Sequence, residues 1–290
     1  MMDCSISPGF IGVFDSGVGG LTVVRRILEQ TDHRVVFVAD QAHVPYGGRP
    51  LEEISHFAGA ISEALIEAGA SAVIMACNIS TATALFDVQR KWPDLPIHGV
   101  IGPGAADAYA QSQSGRIGVL ATLGTVKTGA YTRAVQAISP EAYVREVACP
   151  RFVPLIESGN LDSPETEAAA LEVLTPIIED GCDVAVLGCT HYPYLLPVLQ
   201  RLAPQVRFVD PAVRAVRLLL ADLYEGADRS LYHPKGGHTL LTTGSKADFE
   251  SQIPMFLPGP EADFGVDVAR WQSGRLCLVA GVQAVVSSTR

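Results

Sequence analysis

The sequence is short of positive charge. Among its 290 residues, 21 are Lys or Arg and 31 are Asp or Glu, which gives a formal net charge of −10 at pH 7. A protein that binds the phosphate backbone of a nucleic acid needs a basic face, so the composition argues against a nucleic-acid partner. Disorder is also a poor interpretation, because 48% of the residues are hydrophobic and supply one large core or two ordinary ones.

Long apolar segments are nearly absent as well. The stretch Met1–Phe10 has no basic cluster and no apolar run of signal-peptide length. The charge-free stretch Ala68–Phe86 contains Asn78 and several Ser and Thr residues, so it predicts a strand, a turn and a helix start rather than a membrane span. We therefore expect a cytoplasmic protein without a membrane partner.

Metal and nucleotide motifs are missing too. The six cysteines form no CxxC pair or regular framework, so we expect free thiols rather than disulfides. Cys189-Thr-His191 has no companion pair at zinc-ligand spacing, and the turn Ser16–Gly20 departs from the dinucleotide spacing G-x-G-x-x-G. The sequence therefore predicts neither a metal site nor a dinucleotide site.

Two patterns alternate along the chain. Short runs rich in Val and Ile predict buried parallel strands. These runs are Ile11–Phe14, Val35–Val38, Ala72–Ala76, Ile97–Ile101, Ile117–Ala121, Val184–Leu187 and Val206–Val209. The helical patterns between them include Leu21–Gln30, Leu51–Ala68, Ala130–Ile138, Glu165–Glu179 and Leu195–Leu202. Strands that alternate with helices are typical of an open α/β fold.

This alternation contains a partial repeat. The run at Ile11 with its glycine turn is matched by the run at Ile117, and the apolar segment before Cys77 is matched by the one before Cys189. Any two strand–helix–strand units look alike at this level, but the paired cysteines favour a repeat. We predict two pseudo-symmetric open α/β domains with mainly parallel sheets and a cleft between them. The predicted domains are 1–102 plus 211–290 and 103–210, with the crossing at Gly102-Pro103-Gly104.

Three side chains with acid/base chemistry follow predicted strands. Asp15, Cys77 and Cys189 each stand where a strand leads into a helix, the usual place of reactive groups in open α/β sheets. N–H groups at a helix start are expected to lower the pKa of such a thiol. Either cysteine alone is more simply explained as a small buried apolar residue. At equivalent places of a repeat, however, they predict one thiol on each side of a small molecule.

Two opposed acid/base groups are what inversion at a carbon atom requires. One thiolate removes a proton from one face of Cα, while the other thiol delivers a proton to the opposite face. The Cα proton of an amino acid is weakly acidic, so the carbanion needs N–H and hydroxyl donors around its carboxylate. The glycine turn Ser16–Gly20 is one predicted source of such donors.

Together these motifs resemble those of the bacterial glutamate racemase family. The resemblance is carried by Asp15–Thr22, Val44–Gly47, Ala76–Asn78, Cys149–Glu157 and Gly188–Pro193. It implies two pseudo-symmetric α/β domains around a cleft and a cofactor-independent racemase that supplies D-glutamate for peptidoglycan. We expect glutamate as the substrate and a homo-oligomer, a dimer, as the assembly.

Carried over residue by residue, the resemblance implies individual roles. Cys77 and Cys189 are the implied acid/base pair, with Asp15 assisting Cys77, and with His191 and Glu157 assisting Cys189. The implied substrate-binding residues are Ser16, Tyr46, Gly47, Asn78, Ile79, Thr122, Thr125 and Thr190, of which Thr122 and Thr125 are expected at the substrate carboxylate. Structural alternatives are an exposed helix acid for Glu157, a structural histidine for His191 and a turn aromatic packed on Pro45 for Tyr46.

One position departs from the family pattern. Ile79 stands where the family motif has a threonine after Cys-Asn, so a hydroxyl is missing. This leaves open a racemase for aspartate or another amino acid, and a ligand-binding protein without catalysis. The chain after about residue 265, including Trp271 and Leu276–Val286, has no assigned counterpart and is expected to form an extra strand, a helix or a subunit contact. The remaining cysteines, Cys4, Cys149, Cys182 and Cys277, are predicted as packing or surface residues.

Overall fold

The computed structural model describes residues 9–225, 237–258 and 264–278, so Cys4 and the residues after 278 lie outside the described part. The described strands are β1 (Phe10–Asp15), β2 (Val35–Ala39), β3 (Ala70–Met75), β4 (Ile97–Gly99), β5 (Arg116–Ala121), β6 (Tyr143–Ala148), β7 (Val184–Gly188), β8 (Arg207–Val209), β9 (His238–Thr242), β10 (Phe264–Val268), β11 (Arg270–Gln272) and β12 (Arg275–Cys277).

Helices connect the strands. They are α1 (Leu21–Leu28), α2 (Leu51–Glu67), α3 (Asn78–Lys91), α4 (Ile101–Gln111), α5 (Leu123–Thr128), α6 (Ala130–Ile138), α7 (Phe152–Glu157), α8 (Pro164–Glu179), α9 (Leu196–Leu202), α10 (Pro211–Leu223) and α11 (Lys246–Phe256). Among these described helices, none has both the length and the apolar composition that a membrane crossing requires.

Ten of the strands form two parallel sheets. The first has the order β10-β9-β2-β1-β3-β4 and the second has the order β6-β5-β7-β8. The pairings in both sheets are parallel. Four strands of the first sheet, β2-β1-β3-β4, therefore repeat the order of the whole second sheet. The predicted α/β class with two mainly parallel sheets is confirmed.

Burial explains why these strands could be predicted from apolar runs in the sequence. Every residue of β1, β2 and β7 is buried, because helices cover both faces of a parallel sheet. An apolar side chain is then required at every position rather than at every second one. β9 and β10 extend the first sheet beyond β2, while β11 and β12 pair as a separate antiparallel hairpin. The division into domains stays a prediction.

The segment Gly102-Pro103-Gly104, the predicted crossing between domains, lies in the first turn of α4. β4 ends at Gly99, whereas the predicted run extends to residue 101. Proline is tolerated there because the N–H groups of a first helical turn have no acceptor within the helix. A Cβ on Gly104 would lie 2.9 Å from Pro211 Cβ, so the glycine lets α4 and α10 approach closely.

Candidate active site

A cavity of about 590 Å³ lies at the carboxyl ends of strands from both sheets. Asp15 ends β1 and Cys77 precedes α3, while Thr122 follows β5 and Cys189 follows β7. Both sheets therefore contribute the same pair of strand ends to one site. The cavity is lined by all the predicted site residues, namely Asp15, Ser16, Tyr46, Gly47, Cys77, Asn78, Ile79, Thr122, Thr125, Glu157, Cys189, Thr190 and His191.

On one side, a hydroxyl links the Cys77 thiol to a carboxylate. The thiol donates to Ser16 Oγ at 3.8 Å, and the Ser16 hydroxyl donates to Asp15 Oδ1 at 3.1 Å. Cys77 is the N-cap of α3, and the Ser80 N–H in the first turn interacts with its sulfur. The order thiol, hydroxyl, carboxylate is a continuous path for a proton.

On the other side, the His191 imidazole stands next to the Cys189 thiol, as the Ser16 hydroxyl stands next to Cys77. Cys189 Sγ lies 3.8 Å from His191 Nδ1, and His191 Nε2 lies 3.1 Å from Glu157 Oε1. His191 is buried, whereas the Glu157 side chain at the end of α7 is about one-third exposed. The order thiol, imidazole, carboxylate therefore leads from the buried cavity toward solvent.

Asp15 contacts both halves of the site. Besides Ser16 it accepts hydrogen bonds from the Gly17 N–H at 3.1 Å and from the Thr190 hydroxyl at 2.9 Å. Burial raises the pKa of its carboxyl, against the opposing influence of His191 and of these hydrogen bonds. Asp15 thus reaches Cys77 through Ser16 and holds Thr190, the residue next to Cys189, by a direct hydrogen bond.

The expectation that a helix start lowers the thiol pKa is wrong in direction. Burial raises the pKa of Cys77, the nearby Asp15 charge raises it further, and the Ser80 and Ser16 hydrogen bonds offset only part of this. Burial likewise raises the pKa of Cys189 well above its usual value. Desolvation disfavours a thiolate more strongly here than helix N–H groups favour it. Both thiols are consequently in the neutral form at neutral pH.

Two predicted substrate-binding side chains have partners outside the cavity. The Tyr46 hydroxyl donates to Asp40 at 2.6 Å, so its ring and backbone rather than its hydroxyl are available to a ligand. The Tyr131 hydroxyl donates to Asn78 Oδ1 at 2.7 Å, which leaves the Asn78 amide nitrogen as the free donor. Each contact fixes the orientation of a group at the cavity wall.

A close approach between the two halves forms another wall. A Cβ on Gly124 would lie 3.0 Å from Gly47 Cα and 2.4 Å from Ile79 Cδ1. Thr122 is the N-cap of α5, and its hydroxyl lies 3.1 Å from that of Thr125. The wall therefore combines an apolar side chain with two hydroxyl groups.

Comparison with known proteins identifies the family. A family model described as Asp/Glu/hydantoin racemase matches residues 11–219. The glutamate racemase of Desulforudis audaxviator is 46% identical over 220 residues, 75% of this chain and 80% of that protein. That of Streptococcus agalactiae is 38% identical over 250 residues, 85% and 94% of the two chains. A crystal structure of the Francisella tularensis glutamate racemase with D-glutamate matches at a TM-score of 0.82 and 29% identity, covering 90% and 97% of the two chains.

The chain belongs to the glutamate racemases of this family. The predicted resemblance, and with it the prediction of an enzyme, is confirmed. The roles of individual residues in this racemase stay predictions.

Several lining residues of the racemase cavity were not predicted. They include Val44, Leu123, Cys149, Pro150, Val153 and Pro154. Four of them lie within the motif Cys149–Glu157, so membership of that motif was the sequence signal that could have identified them as lining residues. Cys149 was predicted to be a packing or surface residue. It is buried, it also borders the cavity, and burial raises the pKa of its thiol to about 12.

Among the described residues, no Lys or Arg lines this cavity, and no group of three His, Cys, Asp or Glu is placed to share a metal ion.

Proposed function

We propose that this racemase interconverts L- and D-glutamate without a cofactor, with Cys77 and Cys189 as the two acid/base groups. The observation that carries the proposal is the pair of relays, one on each thiol, at equivalent strand ends of two sheets around one cavity. Inversion needs a base on one face of Cα and an acid on the other, and each thiol has a partner that can exchange protons with it.

In the proposed reaction, one thiolate accepts the Cα proton and forms an S–H bond. The electron pair of the broken C–H bond is delocalised into the substrate carboxylate. The opposite thiol then donates its proton to the other face of Cα and becomes a thiolate. Ser16 and Asp15 on one side, and His191 and Glu157 on the other, return the protons that restore the starting state.

The substrate itself explains how a thiolate forms. Both thiol pKa values are raised, because burial disfavours the charged form. The substrate ammonium group adds a positive charge to a cavity that contains Asp15 and Glu157 and thereby favours the thiolate. Proton transfer is thus coupled to substrate binding.

Hydroxyl and N–H groups supply the donors for the substrate carboxylates. The first N–H groups of α3 have no acceptor within the helix, and Thr122, Thr125 and the Asn78 amide face the same cavity. Such fixed donors stabilise the charge that develops on the carboxylate during proton abstraction.

In the cell, we propose that the enzyme is a cytoplasmic homodimer that supplies D-glutamate for peptidoglycan. Both thiols must stay reduced to exchange protons, which agrees with a reducing compartment. Val44 and Leu123 are half-exposed and apolar at the cavity rim, and a second copy would cover such side chains. Light scattering of the purified protein tests the assembly.

The function is tested by incubation of the purified protein with L- or D-glutamate in D₂O without added cofactor. Optical rotation and deuterium at Cα are followed together. We expect interconversion by the parent and a loss of at least about a hundredfold for Cys77→Ser and for Cys189→Ser, since a positioned acid/base group contributes about 10²–10⁴-fold. Cys182→Ser, a buried cysteine away from the cavity, is the matched control and should retain the parental rate.

The same assay separates the alternatives. Near-parental racemisation by either cavity variant would contradict the two-thiol mechanism. Turnover of aspartate or a neutral amino acid, but not of glutamate, would indicate a racemase of different specificity. Glutamate binding without deuterium exchange would indicate a binding protein.

A further inference from the structure

A buried carboxylate outside the cavity joins three separate segments of the chain. Asp40 directly follows β2 and is fully buried. Its side chain accepts hydrogen bonds from the Tyr46 hydroxyl at 2.6 Å, the Thr243 hydroxyl at 2.8 Å and the Trp271 indole N–H at 2.8 Å, and it lies 2.9 Å from His43 Nδ1. A buried carboxylate requires such donors, because unpaired it would lose its hydration without compensation.

The four partners differ in their relation to the cavity. Tyr46 lines it, whereas His43, Thr243 and Trp271 do not. Trp271 lies on β11 of the C-terminal hairpin, and Thr243 follows β9. Asp40 therefore connects a cavity wall to the part of the chain for which the sequence offered no role.

Aromatic contacts hold the same segments together. The rings of His43 and Phe57 stack with their centroids 3.9 Å apart, and the Trp271 ring lies 5.1 Å from His43 and 5.5 Å from Phe57. On the neighbouring strand β12, Leu276 is buried in the core cluster that also contains residues of α2. The hairpin is thus anchored on the first sheet and covers the segment that leads to Tyr46.

Tyr46 and Gly47 connect the Asp40 contacts to the cavity, because both residues line it. The Tyr46 ring packs in a small buried cluster with Cys77 and Ile79, and Gly47 packs closely against Gly124 at the cavity wall. A shift of the Tyr46 hydroxyl away from Asp40 would move this wall against Cys77.

We propose that Asp40 and Trp271 are positioning residues for the Cys77 side of the active site, and that the C-terminal hairpin thereby helps to shape the substrate site. Trp271 does not line the cavity. Its indole N–H donates to Asp40, and Asp40 in turn orients Tyr46 and the adjacent Gly47. The kinetic part of the inference rests on the proposed function, whereas the physical link from Tyr46 to Trp271 does not.

The kinetic test compares two tryptophan variants. Trp271→Phe keeps an aromatic ring on His43 and Phe57 but removes the N–H donor. We expect KM for glutamate to rise about three- to tenfold with little change in kcat, since a hydrogen bond to a charged acceptor is lost next to the binding wall and not at the reacting atoms. Trp92→Phe is the matched control and should leave both constants unchanged. Trp92 is also half-buried, but it is not among the described hydrogen-bond partners of Asp40 and does not line the cavity.

A spectroscopic test uses the fact that the chain has two tryptophans. In the Trp92→Phe protein, Trp271 is the remaining tryptophan and is excited selectively over the tyrosines. We expect its emission to change on titration with glutamate, with a midpoint close to the KM. Adding Tyr46→Phe, which removes the hydroxyl donated to Asp40, should strongly reduce this change while a binding signal persists by calorimetry.

The outcomes are distinct. The inference would be overturned if the parent is active, Trp271→Phe has the same KM as the Trp92→Phe control, and saturating glutamate leaves the Trp271 emission unchanged. A fall in kcat alone, with unchanged KM, would indicate a loss of folded enzyme and would also overturn it. If Trp271→Phe does not fold, the titration of the Trp92→Phe protein decides. A parent that shows no exchange would instead contradict the proposed function, and the emission shift caused by Tyr46→Phe would still test the link to Asp40.

Discussion

The thiol of Cys77 is subject to two opposing electrostatic effects. As N-cap of α3 it lies at the positive end of a 14-residue helix, which favours a thiolate. It is also buried and close to Asp15, and both conditions favour the neutral thiol. Burial prevails, so the pKa of the Cys77 thiol is raised rather than lowered. The sequence showed the helix start but not the depth of burial, and only the first effect could be read from it.

Ile79 shows how one side chain changes the character of the site. It lies in the first turn of α3 and packs in a buried cluster with Tyr46, Ile54 and Cys77. The nearby Thr81 does not replace the missing hydroxyl, because its own hydroxyl donates to Met75 O at 3.1 Å. At position 79 the cavity is therefore lined by an apolar side chain without a hydroxyl.

We expect Ile79→Thr to lower KM for glutamate. A hydrogen bond to a charged group contributes about 1.5–3 kcal/mol, which corresponds to roughly tenfold or more in affinity. KM and kcat for glutamate, aspartate and a neutral amino acid should be measured in both proteins. Ile54→Val is the control, because it loosens the same cluster without adding a hydroxyl and does not line the cavity.

An unchanged or higher KM for glutamate in Ile79→Thr would contradict the missing-hydroxyl hypothesis. Loss of activity on a neutral amino acid in the same variant would show that the parent prefers a side chain that packs on Ile79.

At the scale of elements, equivalent strands carry equivalent chemistry. Cys77 and Cys189 follow β3 and β7, the strands next to β1 and β5 on the same side of each sheet. The turn at Val18–Gly20 before α1 then packs directly on the Cys189 side: a Cβ on Gly19 would lie 2.3 Å from His191 Nδ1 and 2.4 Å from Thr190 Oγ1. The glycine turn therefore acts as a contact surface between the halves.

Gly19→Ala should accordingly lower kcat/KM by about a hundredfold, because the imidazole of His191 must move and small displacements of catalytic groups are costly. Steady-state kinetics with glutamate check this. Gly59→Ala is the control: Gly59 lies within α2 with no atom near its Cβ position, so the variant should keep its activity and gain about 0.5–1 kcal/mol in unfolding free energy. Parental activity of Gly19→Ala would contradict this contact.

The strands that the sequence predicted most clearly are the buried ones. β1, β2 and β7 are buried throughout and were recognisable as apolar runs. β6 was missed, because it is an edge strand that contains Arg145 and Glu146 and shows no continuous apolar run. Side-chain positions within the cavity could be predicted from motifs, but the Asp40 contacts with Thr243 and Trp271 join residues about 200 or more positions apart, for which the sequence offers no pattern.

At the scale of the whole molecule, buried polar contacts hold the two sheets in register around the cavity. The Thr190 hydroxyl donates to Asp15 at 2.9 Å, the Thr22 hydroxyl lies 3.2 Å from Thr190 O, and the Tyr131 hydroxyl donates to Asn78 at 2.7 Å. Separation of the sheets would break all three hydrogen bonds, which costs most where the groups are buried. These contacts therefore link the two halves of the site.

The buried thiols should make the folded protein less stable in alkali. Burial raises the pKa of Cys149 to about 12, while an unfolded cysteine titrates near 8.5. Between these values the folded chain holds a proton that the unfolded chain has lost, so the free energy of unfolding falls as pH rises, by about 1.4 kcal/mol per pH unit for one such thiol. Below about pH 8 both states are protonated, and this contribution to stability is complete.

The corresponding measurement is urea unfolding between pH 8 and pH 10.5 under reducing conditions. Cys149→Ala should lower stability at every pH, because a buried side chain is shortened, but it should make the decline with pH shallower by about 1.4 kcal/mol per unit, because one buried titrating group is removed. Cys277→Ala, which removes an exposed cysteine instead of a buried one, is the matched control. Equal slopes for Cys149→Ala and the parent would show that the Cys149 thiol ionises as freely in the folded chain as in the unfolded one, contrary to its burial beside the cavity.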